Sequence, residues 1–266
     1  MAILVDENTR VLVQGITGRA GTFYTDHAMR YGSNYVAGVR PGKGGTSHLG
    51  LPIFDDVESA VGETGANASL VIVPAANAAD ALIESIDAKL DVVVCVTERV
   101  PQHDMARVKR ALHGSQTVLI GPNSQGILTP EKCKIGVMPT QNAKSGSIGI
   151  VSRSASLTSE VLALCSANGL GQSTTVGIGG DALHGTGFVQ CLKRFKHDTQ
   201  TKAVVLIGEI GGYEEEQAAE YLASMPYGKP VVALIVGRHA PVGRRMGHAG
   251  TLPGVGALGV KEKITA

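Results

Sequence analysis

The sequence predicts an α/β chain made of two consecutive doubly wound halves, and three observations lead there. Short β-branched runs recur at residues 10–14, 36–39, 69–73, 91–96 and 117–120, with helical periodicity between most of them, notably over 76–90 and 104–113. These runs are nearly all apolar rather than alternating, so a parallel sheet covered by helices on both faces is expected. The pattern restarts after the polar, glycine-containing segment 140–147. Strand candidates then follow at 148–152, 174–178, 203–207 and 231–236, separated by helix candidates 157–167, 187–196 and 214–225. The expected division is a first domain over 1–140 and a second over 141–266, with 129–141 able to join either half.

Composition narrows the function classes. The 266 residues are 43% hydrophobic and 18% charged, which suits a buried core and rules out a disordered chain. A formal net charge of +1 lacks the basic excess of a nucleic-acid binder. The longest apolar stretches, 203–208 and 230–237, fall far short of the about 20 residues that cross a bilayer. Cys95, Cys133, Cys165 and Cys191 are scattered without a CxxC pair, so they read as small buried hydrophobes, with no disulfide framework and no zinc or other metal site. With no signal peptide, a cytoplasmic location is expected. Glycine is the outlier at 35 residues, which calls for tight turns and close backbone approaches.

The first strand runs into Gln14-Gly15-Ile16-Thr17-Gly18-Arg19-Ala20-Gly21-Thr22, with glycines three apart ahead of a helix. Such glycines let the backbone approach a pyrophosphate whose charge meets the helix N-terminus, although a tight strand-to-helix turn needs similar residues on its own. NAD binders usually place an acid about 20 residues further on. Here the stretch reads Ala37-Gly38-Val39-Arg40-Pro41-Gly42-Lys43-Gly44-Gly45, which suits a phosphorylated ribose such as coenzyme A or NADP carries, or else a solvated basic turn.

In the second half, Ser152-Arg153-Ser154-Ala155-Ser156, residues 177–181, residues 208–212 and Arg244-Arg245-Met246-Gly247-His248-Ala249-Gly250 stand out. Three of these follow a strand directly, at the carboxyl edge where open α/β sheets place ligands, so convergence is expected. A neutral imidazole attacks phosphoryl groups near pH 7, best when its other nitrogen donates to a carboxylate. His248 is the candidate nucleophile and Glu209 the candidate carboxylate, with Ser154, Ala155 and Ser156 at a helix start as the phosphate cradle. The blander readings are a hydrogen-bonded loop histidine, a Glu209 that caps a helix or pairs with Arg244, and an Asp181 that serves only a turn. His27, His48, His103, His113, His184, His197 and His239 read as surface or hydrogen-bonded residues.

Taken together, residues 14–22, 41–45, 121–123, 134–136, 151–154, 177–181, 208–212 and 246–250 resemble the alpha-subunit family of succinate–CoA ligase (succinyl-CoA synthetase, NDP-forming) over nearly the whole chain. The resemblance implies an N-terminal Rossmann-like CoA-binding domain followed by a flavodoxin-like parallel α/β domain. It implies that His248 is the phosphorylated histidine, that Glu209 steadies it, and that Thr17, Gly18, Arg19, Ala20, Lys43, Val96, Thr97 and Glu98 contact CoA. Asn123, Ser154, Ala155, Ser156 and Ser159 fall at the implied substrate and phosphate positions. An ATP-grasp beta subunit, in an alpha-beta or alpha2-beta2 heteromer, is implied to bind ATP or GTP with Mg²⁺, and this chain contains no P-loop lysine motif. The second substrate is implied to be a dicarboxylic acid.

The chain departs from the family pattern in places. Ser159 stands where the family carries tyrosine, Asn123-Ser124-Gln125-Gly126 replaces Asn-Cys-Pro-Gly, and Gly180-Asp181-Ala182 replaces Gly-Asp-Pro. Succinate is the expected acid, with malate or citrate as alternatives. A catalytically impaired CoA-binding paralogue and an NADP-dependent oxidoreductase are the other readings. Relatives are expected to run further past the histidine loop, so the C-terminus reads as shortened.

Overall fold

The computed structural model describes residues 3–241, 246–248, 251 and 260–265, apart from the side chain at position 262. The first half contains β1 (Val11–Gln14), α1 (Arg19–Arg30), β2 (Tyr35–Val39), β3 (Ser47–His48), β4 (Leu51–Phe54) and α2 (Val57–Thr64). It continues with β5 (Ala68–Val71), α3 (Ala75–Asp87), β6 (Val92–Cys95), α4 (Gln102–Leu112) and β7 (Val118–Ile120). Among the described residues these strands form one sheet in the order β3-β4-β2-β1-β5-β6-β7. Every pairing is parallel except β3 with β4. Every position of β1, β5 and β6 is buried, as strands between two helical layers are, and the polar Gln14 and Ser69 hydrogen-bond each other at 3.1 Å.

The second half contains β8 (Gly126–Thr129), β9 (Cys133–Gly136), β10 (Ser145–Ser152), α5 (Ala155–Ala167), β11 (Gln172–Gly177) and α6 (Phe188–His197). After these come β12 (Ala203–Glu209), α7 (Glu214–Ala223), β13 (Val231–Val236) and α8 (Val260–Thr265). Their sheet runs β13-β12-β10-β11-β8-β9, with β10 to β13 parallel and the β8–β9 hairpin antiparallel. The predicted α/β architecture is therefore present, with two antiparallel edges that periodicity did not announce. β3, β4, β8 and β9 have two to four residues each, too few to show a period.

The hairpin also bears on the division of the chain. It precedes residue 140 but hydrogen-bonds into the second sheet, so divided by sheets the chain changes over between Ile120 and Gly126. One apolar cluster runs through both halves, from Val11 and Val13 through Ile127 and Ile135 to Val151 and Phe195. The Tyr35 hydroxyl of β2 donates to the Lys134 carbonyl of β9 at 3.1 Å, fastening the halves where that cluster passes between them.

Burial pushes the thiols of Cys95, Cys133 and Cys191 up to about 12, so these behave as packed hydrophobes, and Cys165 is half-buried. Among the described residues no helix is long and apolar enough to cross a membrane.

The α6 helix presses Phe195 flat on Gly149 of β10, where an added methyl would stand 2.7 Å from the ring. Phe195→Ala should cost about 3–5 kcal/mol of stability, and Gly149→Ala about 1–3 kcal/mol. The double variant should lose less than the sum, because the new methyl enters the space the ring leaves. Urea unfolding midpoints of the three variants check this.

Candidate functional site

The glycine turn sits between β1 and α1 at the carboxyl edge of the first sheet. Gly15 has φ +94°, and a methyl there would lie 2.6 Å from the Ile72 carbonyl. A methyl on Gly21 would collide with the Gly15 carbonyl, so both glycines let α1 start tight against the strand ends. Gly18 caps α1 without a side-chain hydrogen bond, which leaves the first-turn amides of a twelve-residue helix facing outward.

Arg40, at the end of β2, donates from its guanidinium to the Thr17 hydroxyl and closes a cavity of about 860 Å³ lined also by Gly15, Gly18 and Pro41. Lys43 is exposed and does not line that cavity. Its backbone amide and that of Gly44 donate to Asp55 at 3.0 and 2.9 Å, which holds the basic loop.

A second cavity, of about 630 Å³, joins the two halves. It is lined by Gly18, Arg19 and Ala20 of the glycine turn, by Val96, Thr97, Glu98 and Asn123, and by Arg153, Ala155 and His248. Of the four segments expected to converge, 152–156, 177–181 and the histidine loop line this cavity, and 208–212 meets them through Glu209, which holds His248; the turn after β1 and the segment after β6 line the same space. Among the described residues no cluster of three or more His, Cys, Asp or Glu side chains could hold a metal ion.

In the wall of this cavity, Nδ1 of His248 lies 3.0 and 2.9 Å from the two carboxylate oxygens of Glu209. A carboxylate only accepts, so Nδ1 carries a hydrogen, and in the neutral ring the lone pair is then on Nε2. The ring is 32% exposed, while the Glu209 carboxylate behind it is 8% exposed. Glu209 is the last residue of β12, and its Oε1 lies 3.2 Å from Nε of the buried Arg153. Its own backbone N–H donates to Oε1 of Glu215 at 3.0 Å. The hydrogen bond that His248 donates to Glu209 raises the His248 pKa above the ordinary 6.5; burial and the Arg153 charge oppose it, and the charges of Glu209 and Asp181 add to it.

Several residues at this site carry no local sequence signal of their role. Gly180 lies flat against the imidazole, where any side chain would strike the ring. Asp181 accepts from the Asn123 amide at 3.0 Å, and both line a smaller cavity of about 320 Å³ beside His248, so Asp181 does more than close a turn. Arg153 and Arg40 were visible only as members of motifs, because pairing across a sheet edge leaves no mark in local spacing.

The expected serine cradle is narrower than read from sequence. α5 begins at Ala155, and the Ser154 hydroxyl is spent capping it, accepting from the Leu157 amide at 3.3 Å. Ala155 lines the cavity with His248, whereas Ser154, Ser156 and Ser159 do not. The Ser159 hydroxyl turns back to the Ala155 carbonyl at 3.2 Å. His184 is buried and hydrogen-bonded, with Nε2 3.0 Å from Glu214 and Nδ1 2.9 Å from the Asp181 carbonyl. Arg244, Arg245, Ala249 and Gly250, including the considered Glu209 to Arg244 pairing, lie outside the described residues.

Glu209→Gln should lower the His248 pKa toward 6.5, because the substitution removes the negative charge that favours the imidazolium. Gly180→Ala should displace the ring and break the Nδ1 hydrogen bond. NMR titration of the His248 ring signals checks both.

Residues 6–99 match a family of CoA binding domains, and residues 151–266 match a CoA-ligase family. The chain is 51% identical over 264 residues to the succinate–CoA ligase (ADP-forming) subunit alpha of Staphylococcus epidermidis, covering 99% of this chain and 87% of that one. The subunit of the same name from Staphylococcus aureus is also 51% identical, over 265 residues, with the same coverage. Among solved structures, an ATP citrate lyase of Methanosaeta concilii in complex with (3S)-citryl-CoA superposes with a TM-score of 0.85 at 23% identity. That match covers 98% of this chain and 46% of the lyase chain. A dinucleotide-forming acetyl-coenzyme A synthetase of Ca. Korarchaeum cryptofilum superposes with a TM-score of 0.72 at 18% identity, over 86% of this chain and 51% of that one.

Proposed function

Because this chain belongs to the alpha-subunit family of succinate–CoA ligase, an acid-CoA ligase family in which the alpha chain works with a partner subunit, we propose that His248 carries the phosphoryl group between a nucleotide and the acid. The single observation that supports this most is an imidazole with its outer nitrogen free, held by Glu209 in the wall of the cavity that begins at the glycine turn.

The chemistry follows from that placement. Nε2 attacks the terminal phosphorus of ATP or GTP; an N–P bond forms, the bond to the departing diphosphate breaks, and Nδ1–H stays on Glu209. The dianionic phosphoryl group leaves the ring formally cationic, and the adjacent carboxylate compensates that charge. A carboxylate oxygen of succinate then takes the phosphoryl group, breaking N–P and forming an acyl phosphate. The CoA thiolate attacks the acyl carbon, a C–S bond forms, phosphate leaves, and the thiol proton goes to solvent. The cavity from Gly18 to His248 brings thiol, acyl phosphate and imidazole within one enclosed space.

CoA belongs to this half of the enzyme. The outward amides of Arg19 and Ala20 suit its pyrophosphate, and Arg40, tied to Thr17, is a nearer cation for that end than the exposed Lys43. Val96, Thr97 and Glu98 line the path between the glycine turn and His248, where the pantetheine arm would lie. We assign the nucleotide and Mg²⁺ to an ATP-grasp beta subunit, in an alpha-beta or alpha2-beta2 assembly. A cytoplasmic setting suits the buried free thiols. The likeness to ATP citrate lyase is one of fold, so succinate is retained as the acid.

Incubating the complex of this chain and its partner subunit with γ-labelled ATP should place an acid-labile, base-stable label on this chain. His248→Ala should abolish it, and Glu209→Gln should slow its formation roughly 100- to 10,000-fold. Label that persists in His248→Ala, or that survives acid, would overturn the assignment.

A further inference from the structure

Behind Glu209 lies a chain of buried charges that the phosphoryl transfer does not itself use. Glu215, in the first turn of α7, takes the Glu209 backbone N–H on Oε1 at 3.0 Å, and the same oxygen lies 3.7 Å from Nη1 of Arg153. Its second oxygen receives Nζ of Lys263 at 2.6 Å. Lys263 is the one basic residue in the last turn of α8, beyond the histidine loop. Its ammonium also donates to Oε2 of Glu216 at 2.9 Å and to the Gly212 carbonyl at 3.1 Å. All three of its N–H donors are thus engaged, and its side chain is 0% exposed.

An ammonium and two carboxylates taken out of water are costly unless each is paired, so this cluster is not explained by surface solvation. We propose that Lys263 is a positioning residue for His248, acting through Glu215 to keep Glu209 in place. This rests on the reading of His248 as the phosphoryl carrier. Arg153 is shared between Glu209 and Glu215. With Lys263 present, Glu215 has a cation of its own on Oε2, and Arg153 can keep Nε beside the Glu209 carboxylate. Without Lys263, Arg153 is the remaining cation beside Glu215 among the described residues, and its guanidinium is drawn from the Glu209 carboxylate toward Glu215.

The loop that bears His248 is therefore fastened twice. Its ring is held to β12 by Glu209, and the chain beyond it is held to α7 by Lys263. Between these points Thr251, which is buried, accepts from the Met246 amide at 3.1 Å and donates to the His248 carbonyl at 2.7 Å. A histidine on a glycine-flanked loop needs such ties, because Gly247 at φ +75° offers the backbone freedom and no side chain to pack. Among the described residues the charged groups that face His248 are Glu209 at the end of β12, Arg153 after β10, Asp181 after β11, and Glu98 and Arg99 after β6. Glu215 and Glu216 from α7 and Lys263 from α8 stand one layer behind them.

The test uses the complex of this chain with its partner subunit and γ-labelled ATP. In Lys263→Met the rate of His248 labelling should fall about tenfold, as for loss of an outer hydrogen-bond partner, with the KM for CoA unchanged. Removing a buried cation should also move the acid limb of the labelling pH profile to higher pH, since His248 then holds its proton more tightly. Lys263→Arg should restore both. In a Glu215→Gln background, Lys263→Met should add no further loss, since the effect runs through Glu215. Lys263→Gln, which keeps one donor for Glu215, carries the same comparison if the methionine variant does not fold. A folded variant that labels at the native rate, or slower labelling with an unmoved acid limb, would overturn the role of Lys263. Native complex that takes no label on His248 would instead overturn the reading it rests on.

Discussion

A carboxylate at the end of a central strand, almost closed off from water, has to be surrounded by donors, and the second half of this chain is arranged around that requirement. Glu209 receives the His248 ring on its carboxylate, lies beside the Arg153 guanidinium, and has its backbone amide taken by Glu215. These come from the histidine loop, the β10–α5 turn and α7, which the chain separates widely. Meeting at one residue fixes where the histidine loop, the β10–α5 turn and α7 can sit. It also selects the imidazole tautomer, because only Nδ1–H satisfies an acceptor and Nε2 is then left facing the cavity.

The second constraint is the close join between the halves. The β8–β9 hairpin leaves the last strand of the first sheet and pairs with β11, so the segments at Asn123 and at Gly177 to Asp181 are brought together by backbone hydrogen bonds. The Ser124 hydroxyl donates to the Gly177 carbonyl at that junction, and Gly126 and Gly136 approach so closely that side chains are excluded from both. Because of this join, the cavity that starts at the α1 N-terminus ends at His248. A ligand seated at one sheet can thus reach the His248 imidazole on the other.

Much of this was legible along the chain. Runs of Val, Ile and Leu four to six residues long announced the central strands, since strands buried on both faces need apolar side chains at every position. The glycine spacing at Gly15, Gly18 and Gly21 announced the strand-to-helix turn, and the glycines around Glu209 and His248 announced two loops with unusual backbone. What stayed hidden were groups whose partners are distant in the chain: Arg153 behind Glu209, Gly180 under the imidazole, Arg40 on Thr17 and Lys263 on Glu215. Each is an unremarkable residue in its local window. Lys43, a basic residue in a glycine loop, reads as a ligand contact, and the fold leaves it exposed. The Ser154 hydroxyl likewise goes to the helix it caps.

The sequence by itself determined the α/β class, the order of the main strands and helices, the glycine turn and the pairing of Glu209 with His248. These follow from local patterns of burial, from backbone freedom at glycine, and from a family pattern carried by many short motifs. The tertiary structure alone decided the antiparallel edge that couples the sheets, the single cavity running from the α1 N-terminus to the histidine, and the buried charges behind Glu209. Those depend on which side chains meet across the fold, and the Coulomb and packing energies that select them act through space rather than along the chain.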